Sequence, residues 1–265
     1  MKRIYILVAI IILTCSALFI RKYNEVPNVT INIDGITSAS IIPNKYLNKY
    51  TPHGFTDSQK KKALFIVGDL RHNSITFDLA YTAMRYLEEN NIEVELRDLY
   101  KMKWNPILNF DEFFYQKDGI GKPEKDVAKE QNFVTQADYI IFVYPNWHDS
   151  AIAIVKGYQE RVFAYTADEN GLRGMLNNKG LFTIMNCGFL GKGRGFIGDG
   201  SEQWNRYMEA YKVFDDDLAN WWGMKNYGRF MNDKYPKNLS PTYEQDLKEL
   251  RKDLISYLEK TFINK

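Results

Sequence analysis

The chain has 265 residues, of which 45% are hydrophobic and 26% are charged, and this is the composition of one globular domain with appendages. Its formal net charge of +2 argues against a nucleic-acid-binding surface, which usually carries a clustered basic excess. The two cysteines, Cys15 and Cys187, form neither a disulfide framework nor a metal site. Aromatic residues make up 15% of the chain, which suits a flat ligand, an interface or a well-filled core.

Residues 1–23 have the profile of a segment that meets a membrane. A mainly apolar run from Ile4 to Ile20 is flanked by two basic residues on each side. The run is at the short limit for a helix that spans a hydrocarbon core, and a cleaved signal peptide is the alternative. Because basic residues flank both ends equally, they do not fix the side of the membrane on which the rest of the chain lies. We expect membrane association through a single N-terminal helix or, alternatively, export after signal cleavage.

Residues 24–60 are rich in Asn, Pro, Ser and Thr and are predicted to form a polar connector. In residues 61–265, apolar runs alternate with segments of helical periodicity. The apolar runs are predicted strands, over residues 63–67, 92–100, 138–144, 180–185 and 226–231. The periodic segments are predicted helices, over residues 74–91, 151–165, 202–220 and from Ser240-Pro241 onward. This alternation predicts an α/β domain with a doubly wound, five-stranded parallel sheet, preceded by the N-terminal apolar helix.

The loops that follow the strands are the candidate ligand-binding elements, because right-handed crossovers bring them to one edge of the sheet. The first loop, residues 68–74, leads Ser74 and Thr76 to a helix N-terminus, which favours phosphate. The alternative is that Ser74 only caps the helix. The loop after the third strand, residues 145–149, carries large hydrogen-bonding groups. The loop over residues 186–200 holds six glycines, which permit close approach of the backbone to a ligand.

Three blocks of the chain resemble one known family, the flavodoxin-like NAD(P)H:quinone oxidoreductases, which include DT-diaphorase and bacterial relatives. The block "KALFIVGDLRHNSITFDLA" is similar to the family's first strand and phosphate loop. The block "RDLYKMKWNPIL" is similar to its Asp-Leu-Tyr-x-Met-x-aromatic-Asn/Asp-Pro motif, which is the most specific match. The block "YPNWHDSAIAIVKGYQERVF" aligns without gaps with its Pro-x-x-Trp stretch. The resemblance runs from about residue 62 to the carboxyl terminus.

The resemblance implies two-electron reduction, in which NAD(P)H gives a hydride to a flavin and the flavin reduces a quinone or similar flat acceptor. The implied cofactor is FAD, with FMN as the alternative. Ser74 and Thr76 would hold the flavin phosphate, and His148 is the candidate catalytic residue, because histidine titrates near neutral pH. The remaining implied cofactor-binding residues would lie beside the flavin ring: Pro145, Asn146, Trp147, His148, Asp149, Cys187 and Gly188.

The chain departs from the family pattern at several positions. Asp69 stands where the family has a histidine, and its carboxylate would repel a pyrophosphate unless Arg71 or His72 offsets the charge. Ile152 replaces a proline, and residues 185–188 replace a Thr-Thr-Gly-Gly turn. These differences bear on cofactor affinity and rate more than on the fold.

Three functions remain open at this stage. The first is a membrane-tethered quinone reductase, since tethering raises the effective concentration of a lipid-soluble substrate. The second is a non-catalytic or regulatory flavodoxin-like module that serves as an accessory subunit of a membrane partner. The third is an exported azo- or nitro-compound reductase. The family also implies a homodimer, and Glu160 and Arg161 are expected to be exposed helix charges or part of that interface.

Overall fold

The computed structural model describes residues 42–113, 122–148, 150–163, 176–187, 211, 215–232 and 241–264. Residues 38–265 belong to one compact unit. The predicted apolar helix within residues 1–23 lies outside the described residues, so it stays a prediction. Within the described ranges, no helix combines the length and the apolar character needed to cross a membrane.

The domain is built on one parallel sheet of five strands in the order β2-β1-β3-β4-β5. The strands are β1 Lys61–Val67, β2 Ile92–Asp98, β3 Tyr139–Pro145, β4 Gly180–Asn186 and β5 Lys225–Asn232. β3 and β4 are buried along their whole length, as expected for strands covered by helices on both faces. The predicted doubly wound, five-stranded parallel sheet is therefore confirmed.

Helices cover both faces of this sheet. They are α1 Ile75–Glu89, α2 Lys125–Gln136, α3 Ala153–Val162 and α4 Tyr243–Leu258, and residues 215–222 are also helical. α1 and α4 pack in the core on one face, whereas α2, α3 and the 215–222 segment pack in the core on the other. The rest of the predicted helix over residues 202–220 lies outside the described residues, apart from Tyr211.

Two details differ from the sequence-based expectations. α2 was not predicted, because its buried residues are only Val127, Glu130 and Val134, and this is too weak a periodic signal in a polar segment. α4 begins at Tyr243 with Thr242 at the N-cap position, so the predicted start at Ser240-Pro241 was wrong. Leu247, Leu250, Leu254 and Leu258 carry the apolar stripe of α4 into the core and fix its position whatever residue caps it.

Part of the segment assigned to the connector has a defined conformation. A short 3₁₀ turn spans Asn44–Tyr46, and Ile42 is fully buried in the same core as α1 and α4. Farther along, Gly54 N donates to Val94 O of the edge strand β2 at 3.1 Å. The residues from 42 to 57 thus lie against the domain, while the division of the chain at residue 60 stays a prediction.

Arg161 of α3 is buried, so the expectation of an exposed charge was wrong for this residue. Its guanidinium makes a bidentate pair with Glu112, with Nη2–Oε1 at 2.6 Å and Nε–Oε2 at 3.0 Å. It also donates to Asn105 O at 2.7 Å and lies over the ring of Trp104. These contacts hold the chain that follows β2 against α3.

We expect Glu112→Gln to lower the free energy of unfolding by about 3 kcal/mol, because it leaves a buried guanidinium without its main counter-charge. Asp126→Asn is the matched control, since Asp126 pairs with the same arginine at 2.9 Å but its side chain is 48% exposed, against 2% for Glu112. The control should cost less than about 1 kcal/mol. Urea unfolding measures both, and equal losses would contradict the assignment.

Candidate functional site

The candidate site lies where β1, β3 and β4 end at their carboxyl edge. The strand order reverses between β1 and β3, and ligands of open α/β sheets bind at such a switch point. Gly68 N donates to Val143 O at 2.9 Å, and Asn146 N donates to Asn186 O at 2.7 Å. The carboxyl ends of these three strands are therefore neighbours, and the loop after β4 lies outside the described residues from residue 188 on.

The loop after β1 presents the amino terminus of α1. Ser74 is the N-cap, and its buried hydroxyl accepts a hydrogen bond from Phe77 N at 3.3 Å. Thr76 differs, because its Oγ1 is buried and has no hydrogen-bond partner in the described part of the chain. An unpartnered buried hydroxyl costs free energy, so it suggests a ligand atom that is absent from the protein alone. The phosphate role of Ser74 and Thr76 stays a prediction.

Asp69 is fully buried and is neutralised by a charge from the same loop. Arg71 donates from Nε to Asp69 Oδ1 at 3.0 Å and from Nη2 to Oδ2 at 3.1 Å. The Arg71 guanidinium also lies 5.8 Å from the ring centroid of Trp147. Arg71 thus offsets the carboxylate that would repel a phosphate, and it links the loop after β1 to the loop after β3.

A second ion pair lies on the other side of this loop. His72 Nε2 and Asp98 Oδ2 are 2.6 Å apart, and the imidazole stacks on Phe77 with ring centroids 4.6 Å apart. The hydrogen bond to Asp98 raises the pKa of His72 above its ordinary value. The imidazolium therefore persists to higher pH than in a free histidine, which adds positive charge beside the N-terminus of α1.

The loop after β3, here called the ledge, lies at the carboxyl edge of the sheet. Trp147 and Ser150 close it as an antiparallel bridge, with N–O distances of 3.2 and 3.4 Å. Between them His148 is exposed and takes a left-handed backbone conformation with φ of 52°. The Trp147 side chain is 39% exposed, which leaves part of its indole ring free to contact a flat ligand. The catalytic role of His148 stays a prediction.

The residues that anchor this ledge come from three elements. Pro145 is the last residue of β3 and pairs with Asn186 of β4. Asn146 Oδ1 accepts a hydrogen bond of 2.8 Å from the hydroxyl of Tyr211. Asp149 lies outside the described residues. Pro145 and Asn146 therefore hold the ledge in place, and their cofactor-binding role stays a prediction.

At the end of β4, the side chain of Asn186 is the feature that the sequence analysis missed. Asn186 Oδ1 accepts from Asn232 Nδ2 at 2.8 Å, but Asn186 Nδ2 is buried without a partner among the described residues. Cys187 is buried, and its thiol donates to Asn232 O at 3.2 Å, so it acts structurally as a small buried polar group. Gly188 lies outside the described residues. Nothing in the residue type marks Asn186, since only its burial at the edge distinguishes it.

The residues present fit a flavin. Thr76 and the N-terminus of α1 offer hydrogen-bond donors of the kind that hold a phosphate. The exposed ring of Trp147 suits a flat heterocycle, and the Asn186 Nδ2 group, which has no partner among the described residues, suits its polar edge. Within the described ranges, no group of three or more acidic, histidine or cysteine side chains could hold a metal ion.

Comparison with known proteins identifies the family. The family model described as the flavodoxin-like fold matches residues 61–254. The chain belongs to this family. Among curated relatives, an uncharacterized NAD(P)H oxidoreductase of Haemophilus influenzae is 41% identical over 105 residues, covering 38% of this chain and 51% of the relative. NAD(P)H dehydrogenase (quinone) 1 of Cavia porcellus is 29% identical over 138 residues, covering 45% of this chain and 50% of that protein. This flavodoxin-like chain thus spans about half the length of the curated relatives it matches.

Solved structures agree with the flavodoxin-like fold. An NAD(P)H:quinone oxidoreductase from Methanothermobacter marburgensis superposes with a TM-score of 0.55 at 19% identity, covering 74% of this chain and 98% of that one. The general stress protein 14 of Treponema denticola, solved in complex with FMN, gives a TM-score of 0.53 at 13% identity, with coverage of 76% and 99%. At these identities the likeness establishes the fold alone.

We expect Thr76→Val to raise the free energy of unfolding of the ligand-free protein by about 1 kcal/mol, because it removes a buried, unpartnered hydroxyl. Thr82→Val in the same helix is the matched control. Its hydroxyl donates to Asp78 O at 2.8 Å and accepts from Asn48 at 3.1 Å, so this change should destabilise by about 1 kcal/mol. Urea unfolding without ligand measures both. A destabilised Thr76→Val protein would contradict the unpartnered state.

Proposed function

We propose that this flavodoxin-like chain is a flavin-dependent oxidoreductase that reduces a quinone-like acceptor with NAD(P)H. The hydroxyl of Thr76 carries the proposal, because it has no partner in the described part of the chain and lies at the N-terminus of α1, on the sheet edge where open α/β sheets bind ligands. Relatives named NAD(P)H oxidoreductase and NAD(P)H dehydrogenase (quinone) support the reaction class.

Charge balance around the phosphate loop supports flavin binding despite Asp69. Asp69 is matched by Arg71, and Asp98 is hydrogen-bonded to His72, which balances its charge when the imidazole is protonated. The N–H groups and the dipole at the start of α1 then remain as the main influence on an incoming phosphate. FAD is the proposed cofactor and FMN the alternative, which the FMN complex of the Treponema protein supports.

In the proposed reaction a bound flavin would supply the electron transfer, accepting a hydride from NAD(P)H and passing two electrons to the acceptor. The protein residues would position the reactants. Trp147 would orient the flat ring against its exposed indole face. His148 is exposed at the tip of the ledge, from which its imidazole could donate a proton to a reduced acceptor oxygen. Asn186 Nδ2 would donate to a polar ring atom. Each of these roles is part of the proposal.

The test is the absorption spectrum of the purified full chain in detergent, before and after NADPH is added without oxygen. The proposal expects the bands of oxidised flavin, their bleaching by NADPH and their return when a soluble quinone is added. Thr76→Val should weaken flavin binding about fivefold, as expected for one lost hydrogen bond. Thr135→Val on α2, whose exposed hydroxyl donates to Asn132 O at 3.1 Å, should leave it unchanged.

Failure to bind either FAD or FMN would remove the enzyme proposal. The chain would then be treated as the non-catalytic accessory module considered from its sequence. A flavin that NADPH does not bleach would favour the same alternative and would leave the fold assignment intact.

We also propose that residues 1–23 tether the domain to a membrane, where lipid-soluble quinones are concentrated. The support is the apolar run between basic flanks in the sequence. The full chain should sediment with membranes after an alkaline carbonate wash, whereas a chain without residues 2–23 should not. Recovery of the full chain in the supernatant would contradict the tether. The homodimer and the exported azo- or nitro-reductase stay predictions.

A further inference from the structure

Residues 42–57, here called the strap, lie outside the region 61–254 that matches the family. The strap begins at the candidate site. Ile42 has a fully buried side chain, and its amide donates to Asn73 O at 2.8 Å. Asn73 directly precedes Ser74, the N-cap of α1. The first residue of the strap is therefore bonded to the loop that presents the N-terminus of α1.

The middle of the strap follows α1 toward the opposite edge of the sheet. Asn48 Nδ2 donates to Thr82 Oγ1 at 3.1 Å, and the Tyr50 hydroxyl hydrogen-bonds to Glu88. Burial and this hydrogen bond raise the pKa of Tyr50, so its hydroxyl remains a donor throughout the neutral range. His53 N also donates to Glu88, with a distance of 3.1 Å to Oε1. These bonds fix the path of the strap along the helix.

The far end of the strap is anchored separately, at the beginning of β2. Thr56 donates to Glu93 from its amide at 2.9 Å and from its hydroxyl at 2.6 Å, and Asp57 N donates to the same carboxylate at 2.8 Å. This anchor lies at the amino end of a parallel strand, whereas Asn73 lies at the carboxyl edge. The two ends can therefore be perturbed independently.

We propose that the strap holds the loop between β1 and α1 in the conformation that receives a phosphate, with Ile42 as a positioning residue. Ordering a loop residue costs conformational entropy, and a loop that is already fixed does not incur this cost when the ligand binds. The strap would thus make the flavin affinity of this chain depend on residues outside the family region. The flavin part of this inference rests on the proposed function.

Three variants of the full chain test the strap. Both Ile42→Pro and Ile42→Ala remove the buried isoleucine side chain. Only Ile42→Pro also removes the N–H that donates to Asn73 O, so Ile42→Ala is the matched control. Thr56→Ala loosens only the far anchor. Affinities for FAD, FMN and riboflavin are measured by quenching of flavin fluorescence, because riboflavin shares the ring but lacks phosphate. Hydrogen–deuterium exchange reports on the amides of residues 70–77.

Ile42→Pro should bind FAD and FMN about tenfold more weakly than Ile42→Ala does, as expected if roughly one residue's ordering cost returns. The two variants should bind riboflavin equally. Exchange over residues 70–77 should be faster in Ile42→Pro. Thr56→Ala should lower the stability but change neither the phosphate-flavin affinity nor this exchange.

Equal affinity of the two Ile42 variants for FAD and FMN would overturn the proposal. A parallel loss of riboflavin affinity would also overturn it, because general loosening rather than phosphate positioning would then be the cause. If the unaltered chain binds no flavin, the proposed function fails, and exchange alone decides the role of the strap. Faster exchange over residues 70–77 in Ile42→Pro than in Ile42→Ala would then support the hold on the loop, and equal exchange would overturn it.

Discussion

The burial of β3 on both faces is the constraint on which the rest of the domain depends. A strand in the middle of a parallel sheet leaves no face for water, so helices must cover both sides, and each connection must cross over the sheet. Crossovers of one hand bring every strand-to-helix loop to the same edge. The candidate site therefore follows from how the core is buried, and its side chains are drawn from loops that are far apart in sequence.

Buried ion pairs between arginines and carboxylates restrict how the helices and strands of this domain pack. Arg97 pairs with Glu130, Arg161 with Glu112 and Arg229 with Asp215, and each pair joins two different parts of the fold. Burying a charge is costly unless it is paired with good geometry, so such pairs restrict the ways in which the elements can pack. Asp69 and Arg71 apply the same rule inside the site, where their pair also reaches Trp147.

The sequence predicted the sheet well because its strands are continuous apolar runs, and a short run of this kind is rarely stable as anything but a buried strand. It also predicted that Ser74, Thr76 and Trp147 follow strands at the carboxyl edge of the sheet, as they do, and their ligand-binding role stays a prediction. It did not reveal α2, whose apolar stripe is narrow, or the burial of Arg161, whose partner Glu112 lies 49 positions away in the chain. It did not predict a role for the Asn186 side chain, because an asparagine after an apolar run looks like an ordinary end of a strand.

By itself, the sequence determined the fold class, the strand pattern and the family, because each depends on local runs of residue types and on short motifs. Only the tertiary structure decided how the charges are matched and which polar atoms lack partners. It paired Asp69 with Arg71, gave the Ser74 hydroxyl to the helix cap and left Thr76 Oγ1 without a partner among the residues that the structure describes. It also laid the strap along α1. Hydrogen bonds and ion pairs depend on distances and angles that only the folded backbone sets, even between near neighbours such as Asp69 and Arg71, and residue types alone do not encode that geometry.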